Sequence, residues 1–306
     1  MGSPLRGAGT AAFANPYLLL FLTMTCWGGN AVVGRLAASE LTPISLTFAR
    51  WVGACALCYL FARARIHADW ALLRQHWRAL LLLGAVGFAG FNLTYYWALH
   101  HTTALNVSIV QAVIPVMIIA LNFIAFRATV APLQLVGVSV TIVGALVVVS
   151  RGDMQVLTAF DVNRGDLLMV LALFLYACYA VGLRAKPGLH WLTLLFGLSI
   201  AALVTVTPFF IADIAFGEPR WPGVRGWLAI AYVSVFPSLI AQLFFLRSVE
   251  LIGANRAGSF INLTPVLGSA MAIAFLDEQL ELYHVLALSL VFAGLWVVER
   301  FARPET

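Results

Sequence analysis

The sequence predicts an all-α membrane protein of ten transmembrane helices, built as two inverted repeats of five helices each. Three observations carry this. Of 306 residues, 62% are hydrophobic and only 10% charged, which is more apolar surface than a water-soluble domain can hide. The apolar residues are gathered into ten segments of about the length that crosses a bilayer. Shifted back by 150 residues, segment 254–298 lies over 104–148 with Pro115 on Pro265 and Gly144 on Gly294.

That offset also aligns Ala104 with Ala254, Val116 with Val266, Ala120 with Ala270, Ser139 with Ser289, and Val147 and Val148 with Val297 and Val298. Apolar identities carry little information, whereas a proline and a glycine within a span impose backbone geometry. An internal repeat is therefore expected, with residues 1–151 as the first copy and 152–306 as the second.

The first span, 16–37, follows a short Gly- and Ala-rich stretch carrying Arg6. No small-residue cleavage site closes it, so it reads as a retained span rather than a signal peptide. Arg6 stands where a myristoylation motif after Gly2 wants Ser or Thr. The remaining segments are 43–62, 79–99, 103–126, 132–149, 165–183, 191–212, 226–248, 257–276 and 282–298. The polar run His100, His101, Thr102, Thr103 divides the third from the fourth. The longest hydrophilic stretches, 63–78 and 151–164, are too short to be further domains and read as loops.

Arg63, Arg65, Arg74 and Arg78 crowd the loop after the second span, and Arg127, Arg184, Lys186, Arg256, Arg300 and Arg303 fall at alternate loops beyond. Basic loops stay cytoplasmic, so both termini are expected inside. Loops on the other side hold Arg35, Arg151, Arg164, Arg220 and Arg225, diluted by Glu40, Asp153, Asp161, Asp213 and Glu218. This bias explains the net charge of +5, so a nucleic-acid partner is not expected. With five spans per copy, the second copy enters the membrane from the opposite face. Inverted repeats with interrupted helices are the common construction of secondary transporters.

In its order of motifs the chain resembles the drug/metabolite transporter superfamily, in its EamA-type ten-span branch. The resemblance rests on Trp27-Gly28, Arg50, Ala98-Leu99, Pro115 and Gly144, then Pro265, Asp277-Glu278 and Gly294. Within that branch it is most similar to aromatic amino acid exporters of the YddG type. The resemblance implies a multi-pass protein of the bacterial inner membrane that exports aromatic and other neutral or hydrophobic amino acids, with organic cations such as methyl viologen as further cargo. One departure stands out: the family's acidic residue after the fourth span is Ala128 here, leaving Glu278 as the sole counterpart.

Cys26, Cys55, Cys58 and Cys178 all lie in apolar segments and read as small buried hydrophobes. No H-E-x-x-H, G-x-S-x-G or P-loop occurs, so neither enzymatic chemistry nor a metal or cofactor is expected. His100 and His101 fall at a span end and read as interfacial. Arg50 lies inside the second span and must face protein or water, because lipid exposure there costs at least about 2.5 kcal/mol. Two roles stand level for it: attracting a substrate carboxylate, and tying helix ends together.

Pro115, Pro208, Pro237 and Pro265 should each kink or loosen a helix, and the equivalent placement of Pro115 and Pro265 suggests hinges. Gly84, Gly87 and Gly90 read as close helix packing. Asn92 and Gln242 are 150 residues apart in apolar surroundings; on helical spacing Asn92 shares a face with Tyr95 and Tyr96, and Gln242 with Phe245. With Trp27, Asn30, Asn106, Ser108, Tyr176, Tyr179, Ser259 and Asn262 they suggest a neutral, aromatic cavity. Phosphorylated or nucleotide-linked cargo would want more interior cations than Arg50. A membrane scaffold that binds without transporting remains the alternative from another class. The ionisable candidates Asp166, Glu250, Asp277, Glu278 and Glu281 all fall near span ends, so proton coupling and oligomeric state stay open.

Overall fold

The computed structural model describes residues 15–127, 131–153, 155, 163–183, 187–217, 221–252, 257 and 260–301, and every regular element among them is a helix. Local chemistry sets the starts. Helix α1 (Pro16–Ala37) begins on Asn15, whose side chain accepts from the amides of Tyr17 and Leu18, and α2 (Pro43–Ala68) begins on Thr42, which accepts from Ser45. Each has proline at the first helical position, where a missing N–H costs nothing.

The stretch expected as an open loop over 63–78 is instead helical. α2 continues to Ala68, and α3 (Trp70–Gln75) follows at once. The charges of Arg63, Arg65 and Arg74 therefore project from helix surfaces, where leucine and alanine neighbours keep the backbone bonded.

The next helix, Trp77–His101, is interrupted from within: α4 (Trp77–Leu83) passes into a π-helical segment, Gly84–Gly90, and resumes as α5 (Phe91–His101). Then come α6 (Ala104–Gln111), α7 (Ile114–Phe126) and α8 (Pro132–Val149). The later elements are α9 (Arg164–Gly182), α10 (Trp191–Phe216), α11 (Val224–Val235), a second π-helical segment at Phe236–Ile240, and α12 (Ala241–Ile252). A 3₁₀ turn at Phe260–Asn262, α13 (Leu263–Leu276) and α14 (Leu282–Arg300) complete them.

Among the described residues, seven helices are long and apolar enough to cross a membrane. The pair α6 and α7 passes the same test together with a bend of 41°, and Phe260–Leu276 and Leu282–Val298 are shorter apolar helices. Large apolar side chains such as Phe61 and Ile124 are more than 70% exposed. Surface of that kind belongs against lipid, and this is a multi-pass membrane protein.

The prolines act unequally. Pro115 follows the break at Ala112 and Val113, Pro237 sits in the second π segment, and Pro265 follows the 3₁₀ turn. Pro208 does not loosen its helix as expected, for α10 runs unbroken through it. One absent N–H removes one bond, and the flanking turns carry the helix past it.

Several features recur at the 150-residue offset. The helices after both π segments start at Phe91 and at Ala241. Arg127 and Asp277 end α7 and α13 in the left-handed conformation with the same φ of 52°. The packing recurs too: α1 lies against α12 and α13, as α9 lies against α5 and α7. α8 and α14 meet along their glycines. A Cβ on Gly137 would stand 2.6 Å from the Gly294 carbonyl oxygen, and one on Gly144 would stand 2.8 Å from Val291. Gly84 and Gly87 likewise admit Ala201 and the Tyr179 ring, as close helix packing requires.

Candidate functional site

Where the two π-helical segments approach the broken helices, side chains cannot fill the space, and a cavity of about 510 Å³ remains. A π turn widens the helix and re-aims the residues that follow it. In this way the first turns of α5 and α12 bring Asn92 and Gln242 to the cavity wall. Pro115, at the start of α7, and Asn262 and Thr264, just before Pro265, also line it.

Of the residues expected from sequence, Trp27, Asn30, Asn92, Tyr95, Tyr176, Gln242 and Asn262 line this cavity, as do Arg50 and Pro115. The Trp27 indole donates to the Pro237 carbonyl at 3.3 Å. Asn92 Nδ2 donates to the Phe88 carbonyl one turn back at 2.7 Å, whereas its Oδ1 is buried without a partner among the described residues.

Other expected residues lie elsewhere. Tyr96 is fully buried behind the wall, bonded to Arg50 and Asn30. Tyr179 packs against Gly87 and Phe88, and Phe245 tilts over Trp27 at 5.5 Å from outside. Ser108 is pressed against Gly268, and Asn106 belongs to a polar cluster at one end of the bundle. Helical spacing put Tyr96 on the face of Asn92 and Phe245 on that of Gln242, but packing turns both away from the cavity, and the part of α6 that carries Asn106 and Ser108 meets α13, α9 and α14 instead. Pro265 borders a small side pocket. Ser259 lies outside the described residues, as does Ala128.

Arg50 is 6% exposed, and all its hydrogen-bond partners are neutral. Nε donates to Ser238 Oγ at 2.9 Å, and Nη1 donates to the Tyr96 hydroxyl at 2.6 Å and Asn30 Oδ1 at 3.2 Å. Its guanidinium carbon also stands 5.2 Å from the Trp51 ring centre. No carboxylate pairs with it among the described residues, and Nη2 has no partner there. A guanidinium so placed is a positive charge held out of bulk water and only partly satisfied.

Glu278 has a clear structural contact: Oε1 and Oε2 accept from the amides of Ala104 and Leu105 at 2.9 and 2.8 Å. It thus caps α6 from the other half of the chain, where the helix dipole favours an anion. The cysteines are unpaired, and no group that could hold a metal occurs among the described residues.

Sequence reasoning missed Gly87, Phe88, Gln111, Ile114, Pro237, Ser238, Ile261 and Thr264, all of which line the cavity. The signal was available: they form the pairs 87/237, 88/238, 111/261 and 114/264 at the same 150-residue offset. Since their identities differ within each pair, a search for identical residues passes over them.

The model of the EamA-like transporter family matches residues 15–150 and 163–300. Among similar proteins, an uncharacterized transporter of Bacillus subtilis, YyaM, is 25% identical over 72% of this chain and 73% of its own length. An uncharacterized transporter of Archaeoglobus fulgidus is 24% identical over 92% of this chain and 96% of its own length. A solved crystal structure superposes with a TM-score of 0.64 at 18% identity, covering 92% of this chain and 95% of that one, a likeness in fold.

Proposed function

The chain belongs to the EamA-like transporter family, and from that premise we propose that it is a secondary transporter that exports aromatic and other bulky neutral amino acids by alternating access. The observation that carries this reading is the lone Arg50 charge at the wall of an otherwise neutral, aromatic cavity. An amino acid supplies what the site lacks. Its carboxylate would meet Nη2 of Arg50, and its side chain would lie among Trp27, Phe91, Tyr95 and Tyr176. Its ammonium would rest against ring faces and the amide oxygens of Asn92 and Gln242. The positive charge argues against organic cations as cargo, and a single cation argues against phosphorylated metabolites.

Ten spans in two inverted repeats, 1–151 and 152–306, are part of the same proposal. The paired π segments, the paired left-handed helix ends and the reciprocal packing support it. The basic-residue bias adds the reading that both termini lie inside. A cysteine at His67 should then resist an impermeant reagent in intact cells.

Counterflow in proteoliposomes tests the function. Labelled phenylalanine inside should exchange for external tryptophan, tyrosine or leucine with saturation, while phosphorylated compounds compete poorly. Binding without exchange would leave the scaffold reading. Exchange that prefers phosphorylated cargo would discard the amino-acid assignment.

A further inference from the structure

At one end of the bundle a polar cluster joins the start of α6 to α9 and α14. The backbone amide of Glu281 donates to His284 Nδ1 at 3.0 Å, so a neutral His284 carries its proton on Nε2, which lies 3.0 Å from Asn106 Oδ1. Asn106 Nδ2 donates to Thr102 Oγ1 at 3.3 Å, and the Thr102 hydroxyl donates to Asp166 Oδ1 at 2.7 Å. Each donor thus points the same way, from the imidazole to the carboxyl group. Asp166 is 1% exposed, and its other oxygen, Oδ2, is buried with no partner among the described residues.

We propose that Asp166 is a proton-binding site, and that the proton it holds on Oδ2 keeps this end of the transporter closed. An ionised carboxylate with one oxygen buried and without a donor among the described residues is only partly compensated, by the Thr102 hydroxyl on Oδ1 and by the more distant Arg151. A proton on Oδ2 removes that charge and leaves Oδ1 free to accept from Thr102. His284 is a poor rival for the proton, because its Nδ1 lone pair is already taken by the Glu281 amide. The charged and titratable groups that face the cluster are Arg151 at the end of α8, Glu281, Tyr283 and His284 about the start of α14, and Glu278 at the start of α6. Of these Arg151 is the cation, and it is exposed to solvent.

The coupling is mechanical. Thr102, Asn106, Ala104 and Leu105 are held by Asp166, His284 and Glu278, so the start of α6 cannot leave α9 and α14 without breaking this set. When that end opens, water reaches Asp166, the O–H bond breaks heterolytically, and the proton passes to water at that face while both electrons stay on the carboxylate. Since the closed form binds one more proton, rising pH favours opening. This goes beyond the substrate assignment and does not depend on it.

Hydrogen–deuterium exchange of the protein in nanodiscs, without substrate, tests the proposal. After correction for intrinsic exchange, a peptide spanning 102–108 should exchange at least about tenfold faster at pH 8.5 than at 5.5, with a peptide in α10 as the internal reference. Asp166→Asn should stay at the slow value throughout, and Asp166→Glu should restore the pH response. A wild-type protein flat across this range overturns the proposal. So does an Asp166→Asn variant that follows the wild type, or one that is loosened at every pH as a merely structural residue would make it.

Discussion

Asn92 and Gln242 occupy the same place in two different helices: each lies in the first turn after a π-helical segment, 150 residues apart, and both line one cavity. Asn92 Oδ1 is buried without a hydrogen-bond partner among the described residues, and the Gln242 side chain is half-buried at the same cavity wall. An amide in apolar surroundings without a partner is expensive unless water or cargo supplies one.

Replacing either by leucine should therefore weaken phenylalanine binding by about 1 kcal/mol, roughly fivefold in affinity, with little loss of thermal stability. Binding and melting temperature measured on the same preparations check this. Lower stability with normal affinity would make the two amides interhelical contacts only.

Arg50 invites a test by chemistry on both sides. Wild-type protein should prefer phenylalanine over phenylalanine amide by at least about tenfold, since a hydrogen bond to a charged group contributes about 1.5–3 kcal/mol. Arg50→Gln should abolish that preference. A variant that binds both more weakly yet keeps the preference would assign Arg50 to its bonds with Asn30, Tyr96 and Ser238 alone.

Pro115 and Pro265 stand at matching breaks, the bend of 41° between α6 and α7 and the 3₁₀ turn before α13. Restoring an N–H by Pro→Ala at both should stiffen the helices and slow exchange about tenfold, some 1.4 kcal/mol on the barrier, with substrate affinity nearly unchanged. Comparing counterflow rates with equilibrium binding decides it, and unaltered turnover would reduce both to packing residues.

Two carboxylates clasp α2 to α10 at opposite ends. Asp69 accepts from Thr193 at 2.7 Å and from Arg65 at 3.1 Å, and Asp213 accepts from Thr42 at 2.7 Å. The Thr193 hydroxyl, then the Arg65 charge, hold the Asp69 carboxyl below its ordinary range. A lowered value means that the stabilisation is present above the ordinary carboxylate pKa and is lost as pH falls through the folded one. Melting temperature should accordingly fall between pH 6 and pH 3 more steeply in wild type than in Asp69→Asn, and equal slopes would remove the clasp from the account.

The sequence by itself determined the class of molecule, most of its apolar helices and its internal repeat. Composition and segment length require a bilayer, Pro16, Pro43 and Pro132 open expected spans that the structure starts at the same residues, and Pro115 with Pro265 gives the offset on which the two halves align. These are properties of local runs, and local runs are legible one residue at a time. Tertiary structure decided which polar residues meet. Asn106 and Asp166 looked like a cavity residue and a span-end acid, yet the approach of α6 to α9 and α14 makes them neighbours of Thr102 and His284 in a buried cluster. Likewise Tyr95 lines the cavity and Tyr96 supports Arg50 from behind, although they adjoin in the chain. The two faces of one helix are separated by its rotation about its own axis. That rotation is fixed by contacts with helices far away in sequence and by the added turn of a π segment, which hydrophobic spacing does not encode.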